Sequence, residues 1–259
     1  MRVNAVLRSV RAERVRTGGP GRLWTVMVPA AVAIPAVITF GIALVAESFA
    51  RIPGQISVLQ VTTSNAAYWV ITITVIMAAV AAADGQASES RSGISEYVRL
   101  AMARPGPVLL GRWLFYGVLG ALVAFATLVL VLVALPLLAP TVYGPVSATD
   151  AVGQRLLWTV PLLAFFAAAA GVGVGALIRS PLGAVAAILV WAYAFETAAG
   201  YLPSGATVQR FMPLLNAVYA TGQDTVLAPP WGQGFALLYT CSVFTAIFVI
   251  AALERTIRT

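Results

Sequence analysis

Any chemistry in this chain has to be done by carboxylates, arginines and hydroxyls, because it contains no lysine and no histidine. Without lysine there is no P-loop, whose Lys reaches the β- and γ-phosphates, and no Schiff base. Without histidine there is no Ser-His or Cys-His relay and no histidine metal site. The single cysteine, Cys241, sits in an apolar run and reads as a small buried hydrophobe. Of the nine acids, three fall in one stretch, 84–112, DGQASESRSGISEYVRLAMARPGPVLLGR, together with four of the sixteen arginines. That is where polar side chains are dense enough to act together.

The surroundings make this density unusual. The 259 residues are 60% apolar and 10% charged, with a mean hydropathy of +0.92. Soluble domains hold about 45–50% apolar and about 25% charged residues, so the composition specifies an all-α integral membrane protein. Six apolar runs approach or exceed the roughly 20 residues that cross a bilayer: 23–46, 66–83, 113–138, 156–178, 182–201 and 233–253. The first is read as a span rather than a signal peptide, whose apolar region is only about 7–15 residues. Pro29 and Pro35 are expected to bend it. The chain divides into a cytoplasmic amphipathic helix, 1–22, and a six-span domain, 23–259. In 1–22, Val3, Val6, Leu7 and Val10 recur at helical spacing among six arginines, the pattern of a helix lying on the membrane. A disordered basic tail is the competing reading.

Charge orients the spans. Thirteen arginines lie before residue 23, in 84–112, at Arg179 and in the tail, whereas the opposite connections hold Arg51, Arg155 and Arg210. By the positive-inside rule both ends and 84–112 are cytoplasmic. The net charge of +7 is thereby read as membrane anchoring, with no nucleic acid as partner. In span 4, Gly171 and Gly175 make a small-xxx-small packing face. The connection 202–231 is too long for a turn and too apolar for a solvated loop, so short re-entrant helices in the outer leaflet are expected there.

Within 84–112, residues 95–103 have a helical pattern that starts after Gly93 and stops before Pro105-Gly106-Pro107. Glu96 and Arg99 share a face, and Tyr97, Leu100 and Met102 supply apolar contacts. Such a helix docks into a soluble partner's groove or lies at the headgroups; the pattern fits both.

Glu89-xxx-Gly93-xx-Glu96, a proline, and Gly111-Arg112 opening span 3 resemble the region between spans 2 and 3 of ABC transporter permeases of the type-2 exporter family. The six-span layout, Arg179-Ser180-Pro181 after a Gly/Ala-rich span 4, and Phe211-Met212-Pro213-Leu214 are similar to it too. Ile94 and Arg112 stand where that family usually has Thr and Lys, and Pro105 comes late. The resemblance implies a cytoplasmic coupling helix that contacts a P-loop ABC ATPase through Glu89, Arg91, Gly93, Glu96, Tyr97, Arg99 and Leu100. ATP and magnesium would sit on that partner, with no cofactor on this non-catalytic chain. A second permease chain, identical or homologous, would complete a pathway lined by spans 2 and 5. On this sequence those spans offer Asn65, Tyr68, Trp69, Thr72, Trp191, Tyr193, Phe195 and Glu196.

Each of these side chains has a plainer reading as lipid-facing or interfacial packing. Glu196, the one acid read at membrane depth, either faces the pathway or sits wet at the outer interface. Asp84-Gly85 at a span end resembles the metal motif of CDP-alcohol phosphotransferases, but the next aspartate is Asp150, beyond span 3, so no metal site is expected. The expected function is the permease subunit of an ATP-driven exporter of a drug, antibiotic or lipid-like compound in a bacterial plasma membrane. The alternative is an ATP-independent transporter or channel, which predicts functional charges near the bilayer midplane.

Overall fold

The computed structural model describes residues 2–52, 59–91 and 105–257, which contain helices and no strand. Helix α1 is Arg2–Thr17. A π-helical turn, Leu23–Met27, leads into α2, Val28–Ala50. The short α3, Thr63–Ala66, precedes α4, Tyr68–Arg91. Then come α5, Pro105–Leu138, the one-turn α6, Pro140–Tyr143, and α7, Ala151–Ile178. Span 5 is built from α8, Pro181–Leu189, a π-helical turn at Val190–Phe195, and α9, Glu196–Ala199. Two short helices, α10 (Gly205–Gln209) and α11 (Pro213–Ala220), separate it from α12, Gln233–Ile257.

Six segments are long and apolar enough to cross a membrane: Leu23–Ala50, Tyr68–Glu89, Gly106–Leu138, Ala151–Ile178, Pro181–Ala199 and Gln233–Ile257. The proline expectation in the first takes a particular form. Pro29 has no N–H to give to residue 25, and the turn ahead of it widens so that Val28 N–H bonds Leu23 O, five residues back. Between α7 and α8, Arg179 adopts a left-handed conformation (φ 58°) and Ser180 caps α8 through Gly183 N, which gives the tight 179–181 turn.

The stretch 84–112 is a shorter connection than its charge suggests. Helix α4 continues through Arg91, and α5 begins at Pro105, where a missing N–H costs nothing because first-turn N–H groups have no intrahelical partner. Only 92–104 separates them. Gly93, Glu96, Tyr97, Arg99 and Leu100 lie outside the described residues, as does the expected coupling helix. Asp84 and Glu89 on one side and Arg112 on the other belong to the ends of the spans. Glu89 and Arg112 pair inside the protein, and Asp84 pairs with the exposed Arg22.

Helices α4 and α7 form the centre. Most of α4's apolar segment is buried, and α7 packs on α4, α5 and α12. The glycines of α7 allow this. A Cβ on Gly171 would lie 2.1 Å from the Ala79 carbonyl oxygen, and one on Gly175 would lie 2.5 Å from that of Ala83, so this pair is the face laid on α4. Gly173 points the other way and meets the Ile247 carbonyl of α12 at 2.8 Å. Without a hydrophobic drive between helices in lipid, such backbone approach is a main source of association.

Replacing Gly171 by leucine therefore forces α4 and α7 apart. Thermal unfolding in detergent should show a loss of about 1–3 kcal/mol or failure to fold. Gly41→Ala, where an added Cβ meets nothing within 4 Å, should leave the midpoint unchanged.

Candidate functional site

Three helix faces meet where α4 ends and α5 begins. On α1, Ser9, Glu13 and Arg16 follow helical spacing; on α4, Gln86 and Glu89 do; on α5, Arg112 and Tyr116 do. The guanidinium of Arg112 is buried at their centre. Its Nε donates to Glu13 Oε1 at 2.5 Å, its Nη1 to Gln86 Oε1 at 2.7 Å, and its Nη2 pairs with Glu89. The second oxygen of Glu13 takes a 2.6 Å bond from Arg16, which also donates to Gly85 O and to the Tyr116 hydroxyl, each at 3.1 Å. Burial pulls the Arg16 pKa down, but Glu13 and Tyr116 outweigh it and hold the guanidinium above its ordinary value. Nearby, Arg22 pairs with Asp84 at 3.3 Å.

Two glycines make room for this cluster. A Cβ on Gly85 would fall 2.1 Å from Tyr116 Oη, and one on Gly111 would fall 2.5 Å from Ser9 Oγ. Gly111-Arg112, read in the sequence as the opening of span 3, thus has two structural tasks: close approach to α1 and charge at the centre. Helix α1 is seated through Ser9 and Glu13, both 3% exposed, whereas Leu7 of the apolar recurrence is 52% exposed. Ser9 Oγ also donates to Val108 O, 3.1 Å away. The sequence reading missed Ser9, Glu13, Gln86 and Tyr116. The only local signal for them was the 9/13/16 spacing among α1's arginines.

The second polar region lies at the opposite end. Tyr68, Trp69 and Thr72 of α4 line a cavity of about 260 Å³ with Tyr193 and Glu196 of span 5 and Gln209. Five of the eight sequence-predicted pathway residues are therefore brought together. Trp191 and Phe195 stack on each other at 5.9 Å and do not line this cavity. Asn65 also lies apart, donating to Asp224 at 2.9 Å. Trp191 instead borders an apolar cavity of about 350 Å³ with Ile76, Gly171, Leu214 and Phe244; Glu196 stands between the two cavities.

Glu196 is 6% exposed and accepts from Leu214 N (2.9 Å), Leu215 N (3.3 Å) and Trp191 Nε1 (3.2 Å). It is neither wet nor unpartnered: it caps the N-terminus of α11, whose first residue, Pro213, offers no N–H of its own. At the C-terminus of α11, Arg155 Nε donates to Ala220 O at 2.8 Å. An acid at one end and a base at the other match the helix dipole. Glu47 repeats the device on α6, accepting from Thr141 N and Val142 N at 3.1 Å each. Among the described residues no group of acids or cysteine is placed to hold a metal ion.

No protein-family model matches the chain, and no curated protein matches it.

Removing one member of a buried ion pair leaves the other charge uncompensated. Arg112→Leu, which takes the buried guanidinium from Glu89 and leaves Glu13 with Arg16 alone, is expected to cost about 3–5 kcal/mol in detergent unfolding. Arg112→Lys should recover only part, since an ammonium cannot reproduce the three-pronged fork. Glu196→Ala should cost about 0.5–2 kcal/mol through loss of the α11 cap, with Glu196→Gln in between.

Proposed function

We propose that this chain is the membrane-spanning permease subunit of an ATP-binding-cassette exporter, moving a drug, antibiotic or lipid-like compound and driven by a separate ATPase. The observation that supports it most is the Arg112 cluster. It fastens α1, the end of α4 and the start of α5 together on both sides of residues 92–104. A helix in that segment, docked in a groove of a P-loop partner through Glu96, Tyr97, Arg99 and Leu100, would push on a stiff platform rather than on two loose ends. With no lysine, the chain cannot build the Walker-type phosphate site itself, so ATP-driven transport would draw its energy from such a partner.

In this reading α1 is the interfacial helix, α10 and α11 are outer re-entrant helices, and both termini face the cytoplasm of a bacterial cell. Cargo passes along spans 2 and 5 against a second permease chain. The groove of Tyr68, Trp69, Thr72 and Tyr193 offers aromatic faces and small polar groups, which suit a bulky amphipathic compound. Transport follows from a different cargo affinity in the two ATPase-driven states.

The membrane complex should copurify with a soluble P-loop ATPase. Glu96→Ala combined with Arg99→Ala should weaken that association by about tenfold or more while the unfolding midpoint stays put. In the reconstituted complex, Trp69→Ala and Tyr193→Ala should lower cargo-stimulated ATP hydrolysis and leave basal hydrolysis intact. Cargo movement in liposomes by this chain alone, without ATP or partner, would overturn the proposal in favour of an ATP-independent transporter.

A further inference from the structure

At the end of the bundle opposite α1, three arginines have three different fates. Arg51 is paired with Glu47 at 3.1 Å, and Arg210 is exposed. Arg155, in the second turn of α7, is half-satisfied: Nε is fixed to Ala220 O, but Nη2 is buried and has no hydrogen-bond partner among the described residues. No described carboxylate pairs with it. Two acids at this end of the bundle are engaged elsewhere, Asp150 with Gly153 N and Thr63 Oγ1 at 2.5 Å each, and Asp224 with Ser64 Oγ at 2.7 Å and Asn65. A guanidinium left this way is costly, because a buried donor without a partner forfeits its hydration.

Arg155 also lines a cavity of about 640 Å³, together with Val152, Gln154, Trp158, Gly222 and Gln233. Gly222 is left-handed (φ +90°) and keeps the space clear. A Cβ there would stand 3.3 Å from Arg155 Cδ and 4.0 Å from Gln233 Nε2, so the arginine stem and that amide both border the space beside Gly222. Trp158, 51% exposed one turn further into the span, lies under the guanidinium, 5.8 Å from ring centre to Cζ. A half-exposed tryptophan one turn inside the end of an apolar helix marks the headgroup level. Asp150 caps the N-terminus of α7 through Gly153 N, so the charged donor at this pocket is the arginine.

We propose that this pocket holds the phosphate group of a phospholipid from the leaflet opposite the chain's ends. The Arg155 edge and the Gln233 amide hold the phosphate, and Trp158 lies beside the glycerol and upper acyl region. A phosphodiester supplies the missing countercharge and several acceptor oxygens, and its lipid tail continues along the apolar surface of the span. The site depends only on the bundle and its membrane depth, not on what the protein transports.

The test is native mass spectrometry of the detergent-purified, delipidated chain titrated with dihexanoylphosphatidylglycerol, with uncharged dihexanoylglycerol and inorganic phosphate run separately and as competitors. The wild-type chain should retain one phospholipid, and Arg155→Gln should weaken it by about tenfold or more. Because Arg155→Gln also removes the Ala220 bond, a second variant keeps that bond: Gln233→Glu places a carboxylate in the same pocket, supplies the countercharge internally, and should displace the phospholipid by a similar factor while the chain stays folded. Arg210→Gln should change nothing. Equal retention by the wild type, Arg155→Gln and Gln233→Glu would overturn the proposal, as would equal retention of dihexanoylglycerol, which would make the contact purely apolar. Displacement by inorganic phosphate at comparable concentration would overturn the lipid assignment and leave a free-anion site.

Discussion

A guanidinium taken out of water at the edge of a membrane has to be surrounded by acceptors, and Arg112 obtains them from three different helices. Glu13 comes from 99 positions earlier in the chain, Gln86 from 26, and Glu89 from the other side of the connection. Each carboxylate alone would be as costly to bury as the arginine; together the charges cancel locally and the lone pairs are used. This requirement fixes the depth of α1 against the bundle, the rotation of α5 about its axis and the helical continuation of α4 past its apolar part. Gly85 and Gly111 are consequences of it, since the helices have to come close enough for the side chains to meet.

Away from this cluster, cohesion comes from backbone contact. The alternate glycines of α7 send two faces to two neighbours, Gly171 and Gly175 to α4 and Gly173 to α12. Together α4 and α7 make a dense pair, whereas span 5 carries a π-helical turn and has little of its apolar length buried. The bundle thus has a densely packed middle and a less buried flank. The aromatic groove and the apolar cavity both lie along the boundary between them.

Carboxylates at the ends of the spans serve as caps. Glu47 and Glu196 each hold the N-terminus of a helix that begins with proline, and Asp150 holds the start of α7. In water these end groups would be hydrated. At the margin of a bilayer they need partners from the protein, and a single acid supplies two acceptors. An acid inside a span is by default a functional hypothesis. For Glu196, the bonds to α11 give it a structural task, and its place between two cavities follows from where α11 sits.

Much of the layout was legible in the sequence. The bilayer demands about 20 apolar residues per crossing, so six spans and the small-residue face of span 4 could be read from composition and spacing alone. The grouping of Tyr68, Trp69 and Thr72 with Tyr193 and Glu196 in one cavity matches the pairing of spans 2 and 5 that the family resemblance implied. The stretch 84–112 read as a charged handle because helix ends look polar whether they face water or one another. Only the tertiary structure decided which charges are exposed. It assigned Glu89 and Arg112 to a buried pair, gave Glu13 its partner, turned Glu196 into a cap and left half of Arg155 without one. Ion pairing between helices depends on their rotation and depth, and those are set by packing across distances at which the sequence carries no local periodicity.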